Sequence, residues 1–191
     1  MTHSGAPSKA ELRARLTSAR KLLAQNPANR TALAQQLAQL VQAYQPTRVA
    51  AYLPYGDEPD IGGFLDSARE SDLELVMPKS RPDGELDWVI WNGQSEPGIF
   101  RFDEPLGETT DLASVQVVLL PALAVDLTGH RLGKGKGYYD RALANLNAAD
   151  TLLVAVVYDD EVLDSLPAET HDHPVHAVVT PTRTIALGTL K

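Results

Sequence analysis

Residues 129–141 read Gly-His-Arg-Leu-Gly-Lys-Gly-Lys-Gly-Tyr-Tyr-Asp-Arg, a composition able to hold a polyphosphate. Gly133, Gly135 and Gly137 alternate, so the backbone can take conformations closed to residues with a Cβ and can approach a ligand closely. Successive N–H groups in such a loop form an anion-binding concavity, and a following helix adds its positive N-terminal end. Arg131, Lys134, Lys136 and Arg141 set four cations against the one carboxylate of Asp140. The whole chain carries a formal net charge of −8, so this local excess of positive charge needs a reason. A bound polyphosphate is one; a solvated loop that aids solubility is the other. The spacing fits neither G-x-x-x-x-G-K-[ST] nor G-x-G-x-x-G. No Ser or Thr follows Lys136, and Tyr138 stands where the last glycine would.

Three further groups could do chemistry. Lys9 and Arg13, four residues apart, share one face of a helix and could meet one phosphate chain together, although a solvated helix face reads the same way. Glu58 follows an apolar segment in Tyr52-Leu53-Pro54-Tyr55-Gly56-Asp57-Glu58-Pro59, where a carboxylate can accept from a donor-rich heterocycle or simply be solvated. His171, His173 and His176 lie beside Pro174, too loose a cluster to be read as a zinc site. The chain has no cysteine, so any metal must be held by carboxylate, imidazole or main-chain oxygen.

The elements that must position these groups follow from patterning. Leu12, Leu16, Ala19, Leu22 and Leu23 predict a first helix, broken at Asn26-Pro27. Leu33, Leu37, Leu40 and Val41 predict a second, ended at Gln45-Pro46, and the two together a helical hairpin. Buried strands are expected over residues 49–53, 73–77, 115–120 and 152–157, with shorter ones over 87–91, 177–179 and 184–187; helices are expected over 61–70 and 138–146. Apolar strands without clean alternation, separated by helices, predict a three-layer α/β fold with a mainly parallel sheet. Pro54, Pro78 and Pro121 should each close a strand. Their loops would then leave one edge of the sheet, where ligands of open α/β sheets bind. Residues 1–191 are expected to form a single domain.

Bulk properties narrow the function. A net charge of −8 argues against nucleic acid or an anionic membrane surface as partner. The longest apolar stretch, residues 117–125, contains Pro121 and is far short of the ~20 residues that span a bilayer. Residues 1–7 are small and polar and lack the apolar core of a signal peptide, so a cytoplasmic location is expected.

The run Leu119-Leu120-Pro121-Ala122-Leu123-Ala124-Val125-Asp126, then Gly129, then Arg131-Leu132-Gly133, then Gly135-Lys136-Gly137-Tyr138-Tyr139-Asp140-Arg141, resembles the signature of 5-formyltetrahydrofolate cyclo-ligases. Similar stretches are spread over most of the chain, from Lys9 to about Thr180. The resemblance implies conversion of 5-formyltetrahydrofolate and ATP to 5,10-methenyltetrahydrofolate, ADP and phosphate, with Mg2+ as cofactor and small molecules as partners; a monomer is expected.

It implies ATP contacts at Arg131, Leu132, Gly133, Lys134, Gly135, Lys136, Gly137, Tyr138 and Tyr139, and at Lys9, Ala10, Glu11, Leu12 and Arg13. Folate contacts are implied at Leu53 and Glu58 and at Lys134, Gly135, Lys136, Gly137 and Tyr138. Magnesium would be held by Asp140 and Asp172, and the catalytic cations would be Lys136 and Arg131. The family pattern fixes lysine at the position of Lys136 and varies at that of Lys134. Two departures stand out: Ala122 and Val125 replace a glycine and a phenylalanine, and Arg101-Phe102-Asp103 replaces a Gly-Ile pair before Glu104-Pro105. Two rivals remain at this point: a phosphoryl-transfer enzyme for a non-folate substrate, and a non-catalytic module that binds folate or nucleotide.

Overall fold

The computed structural model describes residues 7–100, 102–144, 146, 150–167 and 173–187. In chain order the helices are α1 (Lys9–Ala24), α2 (Ala28–Tyr44), α3 (Gly62–Arg69) and α4 (Tyr138–Leu143). The strands are β1 (Arg48–Ala50), β2 (Glu74–Ser80), β3 (Leu86–Pro97), β4 (Asp103–Thr110), β5 (Val117–Pro121), β6 (Ala124–Asp126), β7 (Arg131–Leu132), β8 (Leu152–Val156), β9 (Val162–Leu163), β10 (Ala177–Val179) and β11 (Thr184–Ala186).

Among the described residues the main sheet has eight strands in the order β11-β10-β8-β5-β1-β2-β3-β4. Its centre, from β10 to β2, is parallel, while β11, β3 and β4 pair antiparallel at the two edges. Alternate residues of the central strands face opposite layers. Val49, Val117, Leu119, Val154 and Val156 meet Leu33 and Leu37 of α2 and Phe64 and Leu65 of α3. Ala50, Val118, Leu120, Leu153 and Ala155 meet Leu143 of α4 and Leu112 of a short 3-10 turn. This is the expected three-layer α/β arrangement, and burial on both faces is why the strands read as apolar runs.

The two N-terminal helices are both present, but their apolar faces diverge. α2 covers the main sheet, whereas Leu12 and Leu16 of α1 pack on Leu123, Ala124 and Leu132 of a second, three-stranded sheet ordered β7-β6-β9. They do not share one core as a hairpin would. Pro78 departs from expectation as well. It sits inside β2, opposite Trp88 of β3, and the strand continues to Ser80. β1 pairs only as far as Val76, so beyond that residue β2 lacks its parallel neighbour, and there a proline is tolerated.

Candidate active site

A cleft of about 500 Å³ opens at the C-terminal ends of β1 and β5, lined by Leu53 and Tyr55 after the first and by Pro121 at the end of the second. The two strands are neighbours, and the connections leave them in opposite directions across the sheet. That is the switch point at which α/β sheets bind ligands. The volume suits a drug-sized or cofactor-sized ligand.

One wall is the loop between β7 and α4. Leu132, Gly133, Lys134, Gly135, Lys136, Gly137, Tyr138 and Tyr139 all line the cleft, together with Arg131 and Asp140 at its ends. Gly135 and Gly137 have φ of +92° and +69°, the left-handed region that disfavours any side chain. Gly133 does not, so the expected conformational freedom is used at two of the three glycines. α4 has six residues, too few turns for a large dipole, so the cations carry more of the anion attraction than the sequence alone implies.

α1 reaches this wall from below. Ser8 caps it through a reciprocal box with Glu11, the Glu11 N–H donating to Ser8 Oγ at 3.3 Å and the Ser8 N–H to Glu11 Oε2 at 2.8 Å. Lys9 and Arg13 line the cleft, and Arg13 Nε donates to the Gly133 carbonyl at 3.0 Å. Of the stretch expected to meet nucleotide, these two residues line the cleft. Ala10 and Glu11 face solvent, Glu11 is occupied by the cap, and Leu12 is buried in the small-sheet core.

Arg131 is held on two sides, donating to the His173 carbonyl and pairing with the Asp140 carboxylate. Its side chain is nearly buried while that of Asp140 is 44% exposed, so Arg131 orients a carboxylate that faces the cleft. Asp172, the second expected magnesium ligand, lies outside the described residues. Among those described, no three or more His, Cys, Asp or Glu side chains cluster as a metal cage. Magnesium does not require one, since it is commonly held by one or two carboxylates plus substrate phosphates and water. Asp140, beside the basic loop, fits that role.

The opposite wall contains Phe100, which sequence reasoning did not single out, and Phe102, which it noted only as a departure from the family pattern. Phe100 and Phe102, in the connection between β3 and β4, stack at 6.0 Å between ring centroids. Phe102 meets Tyr55 at 4.8 Å, and Phe100 meets Tyr138 edge-on at 6.3 Å. A signal was available: the chain has three phenylalanines, two of them at 100 and 102, in a polar stretch with no core to fill. Of the noted departures, that at Phe102 reaches the cleft. Ala122 and Val125 are buried in the core beneath it.

Glu58 stands between the walls. It accepts from the Tyr55 N–H at 3.1 Å and pairs with Lys134 at 2.7 Å. Lys134 also lies 5.3 Å from the Tyr55 ring centroid, and Lys136 lies 4.3 Å from that of Phe100. Burial, with the nearby Glu58 carboxylate, lifts the Tyr139 phenol well above its ordinary value. It is therefore a proton-bearing group at neutral pH and a hydrogen-bond donor rather than a base.

The sequence profile of the 5-formyltetrahydrofolate cyclo-ligase family matches residues 6–181. The 5-formyltetrahydrofolate cyclo-ligase of Mycolicibacterium smegmatis is 39% identical over 150 residues, covering 72% of this chain and 75% of the relative. The Escherichia coli K12 protein of the same name is 30% identical over 168 residues, covering 82% and 92%. The NMR structure of Aquifex aeolicus 5,10-methenyltetrahydrofolate synthetase superposes with a TM-score of 0.79 at 29% identity, covering 96% of this chain and 94% of that one. Profile, relatives and fold agree, and the chain belongs to the 5-formyltetrahydrofolate cyclo-ligase family.

Proposed function

We propose that the cleft converts 5-formyltetrahydrofolate and ATP to 5,10-methenyltetrahydrofolate, ADP and phosphate with magnesium, and that residues 1–191 act as one catalytic domain. The observation that carries this reading is the pairing of two unlike walls in one cleft. A glycine-rich wall with Lys9, Arg13, Lys134 and Lys136 suits a polyphosphate, and a wall of Tyr55, Phe100 and Phe102 beside Glu58 suits a planar, donor-rich heterocycle.

In the reaction the formyl oxygen attacks the γ-phosphorus and ADP leaves. N10 then attacks the activated formyl carbon, loses its proton, and phosphate departs with the former formyl oxygen. The residues serve this by position and charge. Lys136 meets the transferring phosphoryl group, where preorganised charge counts most. Lys9 and Arg13 bind the remaining phosphates, and the N–H groups of Gly135 and Gly137 approach without a Cβ in the way. Leu53 and the aromatic wall hold the pterin flat, and Glu58 accepts from its ring donors once Lys134 is drawn toward phosphate. Magnesium, when bound, supplies neutralisation of the phosphate oxygens. Asp140 would hold it, with Arg131 keeping that carboxylate in place.

The test is spectrophotometric: purified protein is mixed with 5-formyltetrahydrofolate, with and without ATP and magnesium. Methenyltetrahydrofolate should form only when both are present, with an equal amount of ADP. Folded protein giving no ATP-dependent product would sink the reading.

A further inference from the structure

Two of the most deeply buried charged side chains have no part in the chemistry above. Arg20 of α1 and Glu161 of the 3-10 turn after β8 are 2% and 1% exposed. Arg20 Nε donates to Glu161 Oε1 at 2.6 Å and Nη2 to Oε2 at 2.5 Å, a bidentate fork, and Nη2 also reaches the Ala122 carbonyl. Glu161 Oε2 accepts from the Tyr158 N–H at 2.8 Å, and the Arg20 guanidinium lies 5.8 Å from the Tyr158 ring centroid. The Tyr158 hydroxyl donates to the Glu58 carbonyl at 3.4 Å. Burial raises the Glu161 carboxyl above its ordinary value, while Arg20 and the Tyr158 N–H act against that shift.

Stability alone does not explain such a pair, because well-packed apolar residues of similar volume often do as well or better. Geometry does. Besides Arg20, α1 buries two side chains, Leu12 and Leu16, and apolar contact is not directional. Two leucines on a short sheet leave the helix able to turn about its axis or slide along it. A planar guanidinium held by both carboxylate oxygens and a carbonyl removes both freedoms. Lys9, Arg13 and Arg20 are separated by four and seven residues, which places them on one stripe roughly 16 Å long. An error in rotation at Arg20 would therefore be carried directly to the two cations in the cleft.

We propose that Arg20 is a positioning residue of the nucleotide half of the cleft. Its buried fork on Glu161 fixes the rotation and axial position of α1 and so presents Lys9 and Arg13 to phosphate. Through Tyr158 the same anchor is tied to the backbone of Glu58, so both halves of the cleft are referenced to one point. This role rests on the reading that the cleft takes a nucleotide.

The experiment is a double-mutant cycle between Lys9→Ala and the pair variant Arg20→Met/Glu161→Gln. The pair variant removes both charges together and keeps an acceptor for the Tyr158 N–H. Affinity for an unreactive ATP analogue is measured by calorimetry, alongside KM for ATP, kcat and thermal unfolding. In the unaltered background Lys9→Ala should weaken nucleotide binding about tenfold, as expected for a charge-assisted contact. In the pair variant, binding should already be about tenfold weaker by the same reasoning, with kcat changed less than KM. Lys9→Ala should then add less than about twofold, because a misplaced cation has little left to lose.

An equal Lys9→Ala effect in both backgrounds, or unchanged affinity in the pair variant, would overturn the role. Arg20→Lys keeps the charge and loses the fork; the same cycle in that variant decides the matter if the pair variant does not fold. Failure of the unaltered protein to bind the analogue would sink the nucleotide reading and this role with it. An additive cycle in protein that does bind it would sink this role alone.

Discussion

The two walls of the cleft are built in opposite ways. The 131–140 wall is one continuous segment, and its capacity to meet an anion is local, in the cations Lys134 and Lys136 and in the positive φ of Gly135 and Gly137. The facing wall is assembled from Tyr55 after β1 and from Phe100 and Phe102 between β3 and β4, which meet only once the sheet has formed. Under the proposed function the first wall would recognise charge, which acts over distance and tolerates small displacement. The second would recognise shape, which requires rings at van der Waals contact. The lysines of the first lean onto the second, Lys136 toward Phe100 and Lys134 toward Tyr55 and Glu58. Each wall therefore partly occupies the other, and under the proposed function the substrates would have to separate them.

If the walls divide the work in this way, substitutions on them should separate kcat from KM. The largest effect is expected at Lys136. Lys136→Ala removes a charge assigned to the transferring phosphoryl group, and losing a preorganised stabiliser of that kind typically lowers kcat by about 10²–10³. The side chain is exposed and held by a ring contact, so the thermal midpoint should barely move. Steady-state kinetics with a matched unfolding curve checks both. A kcat within a few fold of the unaltered protein would remove Lys136 from the chemical step.

A smaller and differently placed effect is expected on the facing wall. Phe102→Ala deletes a half-buried ring that contacts Tyr55 and Phe100. An aromatic pair contributes about 0.5–1.5 kcal/mol beyond its buried area, so KM for the folate should rise by roughly tenfold. The KM for ATP and kcat should stay close to the unaltered values. Varying each substrate at saturation of the other measures this directly. Equal rises in both KM values would show that the walls are not independent.

The same contrast explains what could be read from sequence. The glycine-lysine alternation of the basic loop is local, so its residues stood out before any fold was considered. The parallel strands were legible because burial on both faces leaves an apolar run, whereas the four-residue spacing of Lys9 and Arg13 reads equally as a solvated face, and only the family resemblance pointed them toward the cleft they line. The β4 strand was missed because Asp103, Glu104, Gly107 and Glu108 carry little strand character of their own. Pairing along β3 makes it a strand. The small sheet was missed because β6, β7 and β9 span two or three residues each, too few to show a period. Phe100 was missed, and Phe102 was noted only as a departure from the family pattern, because their partners, Tyr138 and Tyr55, lie more than 30 residues away in sequence. Arg20 did not stand out, since nothing local marks an arginine whose carboxylate partner is 141 residues distant.

Lys134 belongs to both walls and should give the smallest and most condition-dependent effect. Its ammonium sits 2.7 Å from Glu58, with the lysine side chain 49% and the glutamate side chain 13% exposed, so the half-solvated pair lies toward the upper end of the ~0–1 kcal/mol of exposed pairs. Lys134→Ala has two consequences of opposite sign. One cation fewer faces the phosphates, which raises KM for ATP, and the Glu58 carboxylate is released from its partner, which favours the folate. Neither touches the transferring group, so kcat should stay within about twofold and KM for ATP should rise about three- to fivefold, the scale of a screened surface contact. Salt distinguishes this from a steric effect. At about 0.5 M ionic strength the Debye length falls to roughly 4 Å, and the KM difference between variant and unaltered protein should shrink toward unity. The KM for the folate should not rise in the variant, and a modest fall is the expected direction. If Lys134→Ala lowers kcat as much as Lys136→Ala does, or if its KM effect persists unchanged in high salt, the two lysines are not divided between chemistry and peripheral charge.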